Sequence, residues 1–506
     1  MASRTETDNV AGTVATVAFT YDARKRMIGE QRVVGATTIY NLSYTYDQLG
    51  NRLKKTDNLT GRYTQYFYDS DAANRDPLFQ TNNNRLLWYT EHAPVTGGTA
   101  IVRTVKYIYY LDGNVSIITV KDHCVDSTLS PGVVADFDWH YDVAFCYYKN
   151  KHVRRVLWNR FKVDGSDVAF DFEPLTAREF RFDGGRQRYA TIDYDCNGTI
   201  SENLWTRIGE VEWTDYLGDT PYGDFEISDN GSGGHTLTPE RRYFALGGDE
   251  SLNASGGVTD SRYWHGDLID SVSLVTKPSG TGGTGNVAPA TTAYTAFGEQ
   301  VSGAGFQPAN VDVRYRYAGG HGYESDGIVL EGVNPTLATI RLSHVGERWY
   351  DPAIGRFVQR DPIGLRGGVN FYGYCRNSPL HWIDPDGMQQ RAPVRPGTVG
   401  GVFVGTGAGG TVKAIVERNT IKKAATWGLK KASTKLIGAA ICSACGGPVG
   451  FVVGFVACIA IDAAVDLTVD ALRASSGEIL PDEFDPKGCG VSPPGVGNWD
   501  FSLSPP

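Results

Sequence analysis

Between Arg348 and Met388 the chain carries its densest run of chemically capable residues. Three Asp-Pro steps, Asp351-Pro352, Asp361-Pro362 and Asp384-Pro385, stand there among aromatics and glycines. The best candidates for chemistry are Asp361 and Asp384, with Arg360 beside the first. Two carboxylates held close together cannot both ionise, so they share a proton. One can then activate water or polarise a peptide while the other donates a proton. The competing reading is a plain turn. In Asp-Pro-x-Gly the aspartate caps, proline sets φ and glycine takes the left-handed position. His381 and Trp382, beside the pair, read as packing.

The rest of the composition narrows the chemistry. Gly 61 and Tyr 27 against Met 3 in 506 residues favour many short strands joined by tight turns. A net charge of −9 gives no sign of nucleic-acid binding. The eight cysteines are scattered, which argues against a disulfide framework. Cys442 and Cys445 have redox or metal spacing but sit in an apolar run and read as small buried residues. All nine histidines lie at or before His381, so the tail has no His-metal site and no His-based triad. Asp462, Asp466 and Asp470 share a helical face, which reads as solvated. No metal and no cofactor is expected. The first fourteen residues have no apolar signal-peptide core, so export would use another route or a start further upstream.

The elements that must position the candidates repeat. Tyr21-Asp22, Tyr46-Asp47 and Tyr68-Asp69 recur about every twenty residues. In the clearest unit Tyr44 and Tyr46 fall on one strand face, Asp47 caps a turn, and Gly50-Asn51 tolerate positive φ. Tyr66 and Tyr68 continue the phase on the next strand. Further hairpin signals stand at Asp112-Gly113-Asn114, Tyr141-Asp142 and Asn197-Gly198. Residues 229–236 and 276–292 read as exposed loops. Residues 1–350 are thus expected to be nearly all β.

At Arg262–Thr276 the sequence resembles an element of Rhs/YD-repeat proteins, with Trp264-His265-Gly266-Asp267 leading into Ser271 and Leu274. The likeness strengthens through Tyr315-Arg316-Tyr317-Ala318-Gly319 and Arg348-Trp349-Tyr350-Asp351-Pro352. It runs on through Gly355-Arg356-Phe357 and Arg360-Asp361-Pro362-Ile363-Gly364-Leu365, and closes with Asn377-Ser378-Pro379 and Asp384-Pro385-Asp386-Gly387. This last run is similar to the Rhs repeat-associated core. The resemblance implies a mainly β fold, in which antiparallel Tyr-Asp hairpins form a curled sheet or partial shell, with a small α-helical C-terminal tail. It divides the chain into repeats at 1–261, the core at 262–388 and a variable tail at 389–506. It also implies self-cleavage by paired aspartates and an arginine. Carried across, those roles fall on Asp361, Asp384 and Arg360, and the cut between Met388 and Gln389. Met388 stands where the family usually has leucine, a swap that conserves size and apolarity. Asn377-Ser378-Pro379 is taken as a turn. Full shells in the family are longer than 388 residues.

The tail runs from a Pro/Gly linker at 389–410 through a helical part at 411–475 to a Pro/Gly-rich end at 476–506. Nine Lys/Arg lie between Arg391 and Lys435, followed by 26 uncharged residues, Leu436–Ile461, and then mostly acids. The uncharged run is long enough to span a bilayer, but Gly446-Gly447-Pro448 divides it. Membrane insertion of 436–461 therefore competes with a buried helical hairpin. Two functions follow. One is a polymorphic-toxin shell that encloses its own C-terminal tail as cargo and releases it by aspartyl autoproteolysis, with an immunity protein as a further partner. The other is a cell-surface protein that binds carbohydrate or a surface ligand through its aromatic repeats. Both place the protein outside the cell or at its surface. Inward-facing tyrosines would favour the first and exposed ones the second.

Overall fold

The computed structural model describes residues 2–393 except 9–12, 72–82, 124–136, 165–168, 171–175, 184–186, 197–204, 218–219, 230–233, 245–246, 278–289, 302–312 and 331–339. The tail expectations, including the helical part and the 436–461 span, fall outside the described residues. No described helix is long and apolar enough to cross a membrane. The described helices are three single 3₁₀ turns, Gly319–His321, Gly364–Arg366 and Cys375–Asn377.

The chain runs as one antiparallel meander from Ala2–Asp8 to Ala290–Thr291, forming a 21-stranded sheet. Almost every strand pairs with the strands just before and after it in sequence. The Tyr-Asp repeat is the unit of this meander. In Thr37–Tyr46 the residues Tyr40, Leu42 and Tyr44 are buried at period two. Asp47 then closes the turn. Its Oδ1 accepts from the backbone N–H of Leu49 and of Asn51, both at 2.8 Å. Gly50, at φ +83, takes the left-handed position. Asp22, Asp267 and Asn253 cap their turns through the same pair of backbone donors.

The tyrosine has its own task. A bulge shifts the register just before Tyr21, Tyr46, Tyr68, Tyr109, Tyr147 and Tyr216. The hydroxyl can then reach back to the neighbouring turn on the same edge. Tyr68 donates to Arg52 O at 2.9 Å, Tyr109 to Leu86 O at 2.8 Å, Tyr147 to Val115 O at 2.7 Å and Tyr216 to Arg188 O at 3.1 Å. Each acceptor is the first residue of a strand. Where Phe182 replaces the tyrosine no such bond forms; the tyrosine that follows the staple in two units bonds forward, Tyr110 to Phe145 O at 3.0 Å and Tyr148 to Phe180 O at 3.1 Å. The aromatic faces point inward. Tyr40, Tyr44, Tyr66, Tyr68, Tyr89 and Tyr107 are all buried.

The sheet must curl. Thr292 N–H donates to Ser273 O of the penultimate strand at 2.9 Å. Ala296 N–H donates to Glu30 Oε2 of the third strand at 2.8 Å. Laid flat, the sheet would part those strands by about 75 Å. Thr292 and Ala296 can span only about 15 Å. Residues 290–301 therefore bridge the two ends of the curl, with Ala293, Ala296 and Phe297 packed on Val17, Phe19 and Tyr44. The following segment fills the inside. Ile328, Leu342, Trp349 and Val358 share a core with Tyr66, Val105, Val143 and Phe180.

The core segment also closes the edge where the turns lie. Asn377 Nδ2 donates to Gly50 O at 2.7 Å, Arg356 Nη2 to Asn84 O at 2.6 Å, Tyr372 Oη to Gly113 O at 2.6 Å and Gln359 Nε2 to Lys151 O at 3.1 Å. Cys146 is disulfide-bonded, which scattered cysteine spacing did not disclose.

Two outcomes test this architecture. Tyr109→Phe and Tyr147→Phe each remove a part-buried staple hydrogen bond. Each should lower stability by about 1 kcal/mol, read from the midpoint of urea unfolding. The seam carries a pH dependence. Burial pushes Glu30 up from 4.5 to about 6, against the opposing hydrogen bonds from Tyr44 and Ala296. Its contribution is complete below about 4.5 and is lost as pH rises through about 6. Wild type should lose up to about 2 kcal/mol between pH 4.5 and 7.5 from this group. Glu30→Gln should lose correspondingly less in the same thermal scans.

Candidate active site

The three Asp-Pro steps all fold as capped turns. Gly355, Gly364 and Gly387 lie at φ +67, +61 and +60. Their N–H groups donate to Asp351 O at 2.9 Å, Asp361 O at 3.1 Å and Asp384 O at 3.1 Å. The structural reading of these motifs is thus present in full. It does not exclude chemistry, because the last two turns bring their aspartates together.

Asp361 and Asp384 meet on one guanidinium. Arg348 Nη2 lies 3.2 Å from Asp361 Oδ2 and 3.1 Å from Asp384 Oδ2. Arg348 is 2% exposed, with its guanidinium carbon 3.6 Å from the centre of the Phe357 ring. Its Nε donates to Gly387 O and its Nη1 to Phe371 O at 3.2 Å. Every arm of the guanidinium is therefore occupied, as a buried charge requires. Two carboxylates against one cation leave a net negative charge away from water. A shared proton relieves it.

The titration shifts agree. Burial raises Asp361 above the usual carboxylate range and Asp384 adds to the rise, while Arg348 and the Ile363 N–H oppose it. Burial likewise raises Asp384, against Arg348 and the N–H groups of Met388 and Gln389. Arg348 is lowered by burial, with both aspartates opposing.

The Met388–Gln389 peptide lies against this pair. Asp384 Oδ1 accepts from Met388 N–H at 2.9 Å, and the Gln389 N–H also acts to lower the pKa of this carboxylate. A Cβ placed on Gly367 would overlap the Asp361 carboxylate and lie 3.3 Å from Met388 O. Asp361 Oδ2 and Met388 O thus both border Gly367, and Asp384 holds the Met388 N–H. Tyr323 Oη supports Asp384 by accepting its backbone N–H at 2.9 Å and contacting Tyr374 Oη at 3.1 Å.

The structure does not bring Arg360 to the pair. Consecutive residues project to opposite sides of an extended chain. Arg360 turns outward, stacks 4.6 Å from the Phe371 ring centre and donates to Asp112 O at 3.4 Å. Sequence reasoning passed over Arg348, although it opens the most aromatic strand of the core, where a buried cation needs buried anions. His381 is exposed, with Nδ1 2.9 Å from Ser378 Oγ. Trp382 packs against the cluster of Tyr323, Tyr350 and Tyr374.

No family model matches the chain. Curated proteins do. Double-stranded DNA deaminase toxin A of Burkholderia cenocepacia is 29% identical over 252 residues, 45% of this chain and 15% of that protein. Toxin subunit YenC1 of Yersinia entomophaga is 23% identical over 414 residues, 73% of this chain and 40% of its own length. The "Probable deoxyribonuclease RhsA" of Dickeya dadantii is 44% identical over 56 residues, 11% of this chain and 4% of that protein. The homologues of this chain are Rhs and toxin-complex proteins. The chain spans less than half the length of each of them. Among solved structures, a TcdB2–TccC3 crystal structure covers 76% of this chain and 21% of its own, at 17% identity and a TM-score of 0.29. An overlap that loose carries no argument.

Arg348→Gln should leave two buried carboxylates without their cation, costing about 3 kcal/mol. The loss should be greater at pH 8 than at pH 5, where protonation relieves the uncompensated charge. Thermal unfolding at the two pH values measures the difference.

Proposed function

We propose that Asp361 and Asp384 hydrolyse the Met388–Gln389 peptide of their own chain. The cut frees residues 389–506 from a β-shell that carries them as cargo, in the manner of a polymorphic toxin. The observation that carries this reading is the meeting of Asp361, Asp384 and Arg348 at the point where Arg348 Nε bonds Gly387 O and Asp384 Oδ1 bonds the Met388 N–H, one residue before the Met388–Gln389 peptide. Asp384, beside the leaving nitrogen, takes a proton from water. The hydroxide attacks the Met388 carbonyl carbon while a protonated Asp361 donates a hydrogen bond to the carbonyl oxygen. The carbon–nitrogen bond breaks as Asp384 passes its proton to Gln389 N. Met388 gains the hydroxyl, Gln389 becomes an amine, and Asp361 keeps its proton. Arg348 keeps the pair supplied with a single proton by holding one member ionised.

The toxin names of the homologues support delivery of a harmful tail. The inward tyrosines favour a container over an adhesive surface. An immunity protein and an export route follow from the same reading.

Purified wild type should yield a fragment beginning at Gln389 on a denaturing gel and by intact mass. Asp361→Asn and Asp384→Asn should stay whole, while Arg360→Ala should be cut like wild type. A whole wild-type chain would sink the proposal. The rate should peak where the pair holds one proton. It falls at low pH as both carboxyls fill. It falls again at high pH as both empty, at a pH above that of ordinary carboxylates because both groups are raised.

A further inference from the structure

The two sides of the Met388–Gln389 peptide are held by different devices. Upstream, the Asp384–Gly387 turn fixes the chain. Downstream, Ile383 and Arg391 exchange both backbone hydrogen bonds. Ile383 N–H donates to Arg391 O at 2.8 Å, and Arg391 N–H donates to Ile383 O at 2.7 Å. That pairing lays Gln390 beside Arg376. The Gln390 amide oxygen, turned toward the guanidinium, accepts from Arg376 Nε at 2.6 Å and Nη2 at 3.0 Å.

Arg376 is presented by an unusual piece of backbone. Cys375, Arg376 and Asn377 lie consecutively at φ +47, +52 and +58, all in the left-handed region. L residues rarely occupy that region in succession, since Cβ crowds the following carbonyl. The turn is held by its surroundings. Asn377 Nδ2 donates to Gly50 O at 2.7 Å, and Asn377 and Ser378 N–H close onto Tyr374 O and Cys375 O, each at 2.9 Å. The Arg376 guanidinium carbon stands 5.9 Å from the Trp382 ring centre, which limits its swing. A turn this unfavourable, kept by non-glycine residues, aims one forked donor at the second residue past Met388.

We propose that Arg376 and the backbone of Ile383 form a binding site for residues 389–391, which positions the Met388–Gln389 peptide on the aspartate pair and selects a hydrogen-bond acceptor at position 390. The proposal rests on the cleavage reading and adds a positioning residue to it. Arg376 touches neither the scissile atoms nor the carboxylates. It acts through Gln390, by keeping the Gln389 nitrogen beside Asp384. The geometry suits a carboxamide or carboxylate at 390 and rejects a cation there.

The test uses the full chain. Arg376→Gly suits the left-handed backbone better than arginine but deletes the donor. A purely conformational role would therefore leave Arg376→Gly at or above the wild-type rate. The clamp predicts cutting slowed about fivefold, by the same factor at every pH, because no titrating group is removed. Gln390→Glu should cut at least as fast as wild type and Gln390→Lys more slowly. Arg376→Glu combined with Gln390→Lys should regain much of the loss. A second readout needs no cleavage. In Asp361→Asn, which stays whole, the Arg391 amide should exchange with deuterium about fivefold faster once Arg376→Gly is added. Wild-type cutting rates in both Arg376→Gly and Gln390→Lys overturn the clamp, as does unchanged Arg391 exchange. A wild-type chain that is never cut overturns the cleavage reading alone, and the exchange measurement then decides the clamp.

Discussion

The fold hangs on a seam. A meander of hairpins has no reason of its own to stop as a flat ribbon or to close. Here Thr292 bonds to the strand of Ser273 and Ala296 bonds to Glu30 near the start of the sheet. That short stretch forces the two ends together, and everything inside follows from it. The curl creates a concave aromatic face. The chain that leaves the seam must cover this face, and Ile328, Leu342, Trp349 and Val358 do so. Lys55 pairs with Glu299 and Tyr44 donates to Glu30 at 2.6 Å, so polar groups hold the seam. Burying a polar seam costs more than burying an apolar one unless each group finds its partner. That requirement fixes register where hydrophobic contact alone would allow slippage.

Within that enclosure the electrostatics of the core become intelligible. Arg348 cannot be solvated, so it needs anions. Asp361 and Asp384 both answer that need, and burial beside a single cation raises the pKa of each. Glycines at 346, 367 and 387 let the backbone close around the group. A side chain at Gly346 or Gly387 would collide with the carbonyl of Asp386 or Val345. The cluster therefore has a structural value of its own, in tying two turns to one strand, independent of any reaction.

How much of this the sequence discloses depends on distance along the chain. Tyr44, Tyr46, Asp47 and Gly50 interact with near neighbours, so period-two burial and turn chemistry reveal strand, cap and turn. The three Asp-Pro-containing turns are local in the same way. The seam is not, because Glu30 and Ala296 are far apart in sequence and neither is unusual for its type. The arginine illustrates the limit. Adjacency favours Arg360 as the partner of Asp361, yet neighbouring residues point apart, and the cation that arrives comes from another strand. Arg376 is harder still. Its left-handed backbone at a non-glycine residue leaves no mark in the letters.

The tyrosine staples carry one last implication. Each joins a turn only to its neighbour on the same edge, through a side-chain hydroxyl and a main-chain carbonyl. Nothing in the bond depends on how many turns precede it or on the identity of the acceptor residue. Strands can therefore be added or deleted in pairs, one hairpin at a time, without rewriting those that remain. The circumference of such a wall is an adjustable quantity, set by counting repeats and limited by what the inner segment can fill.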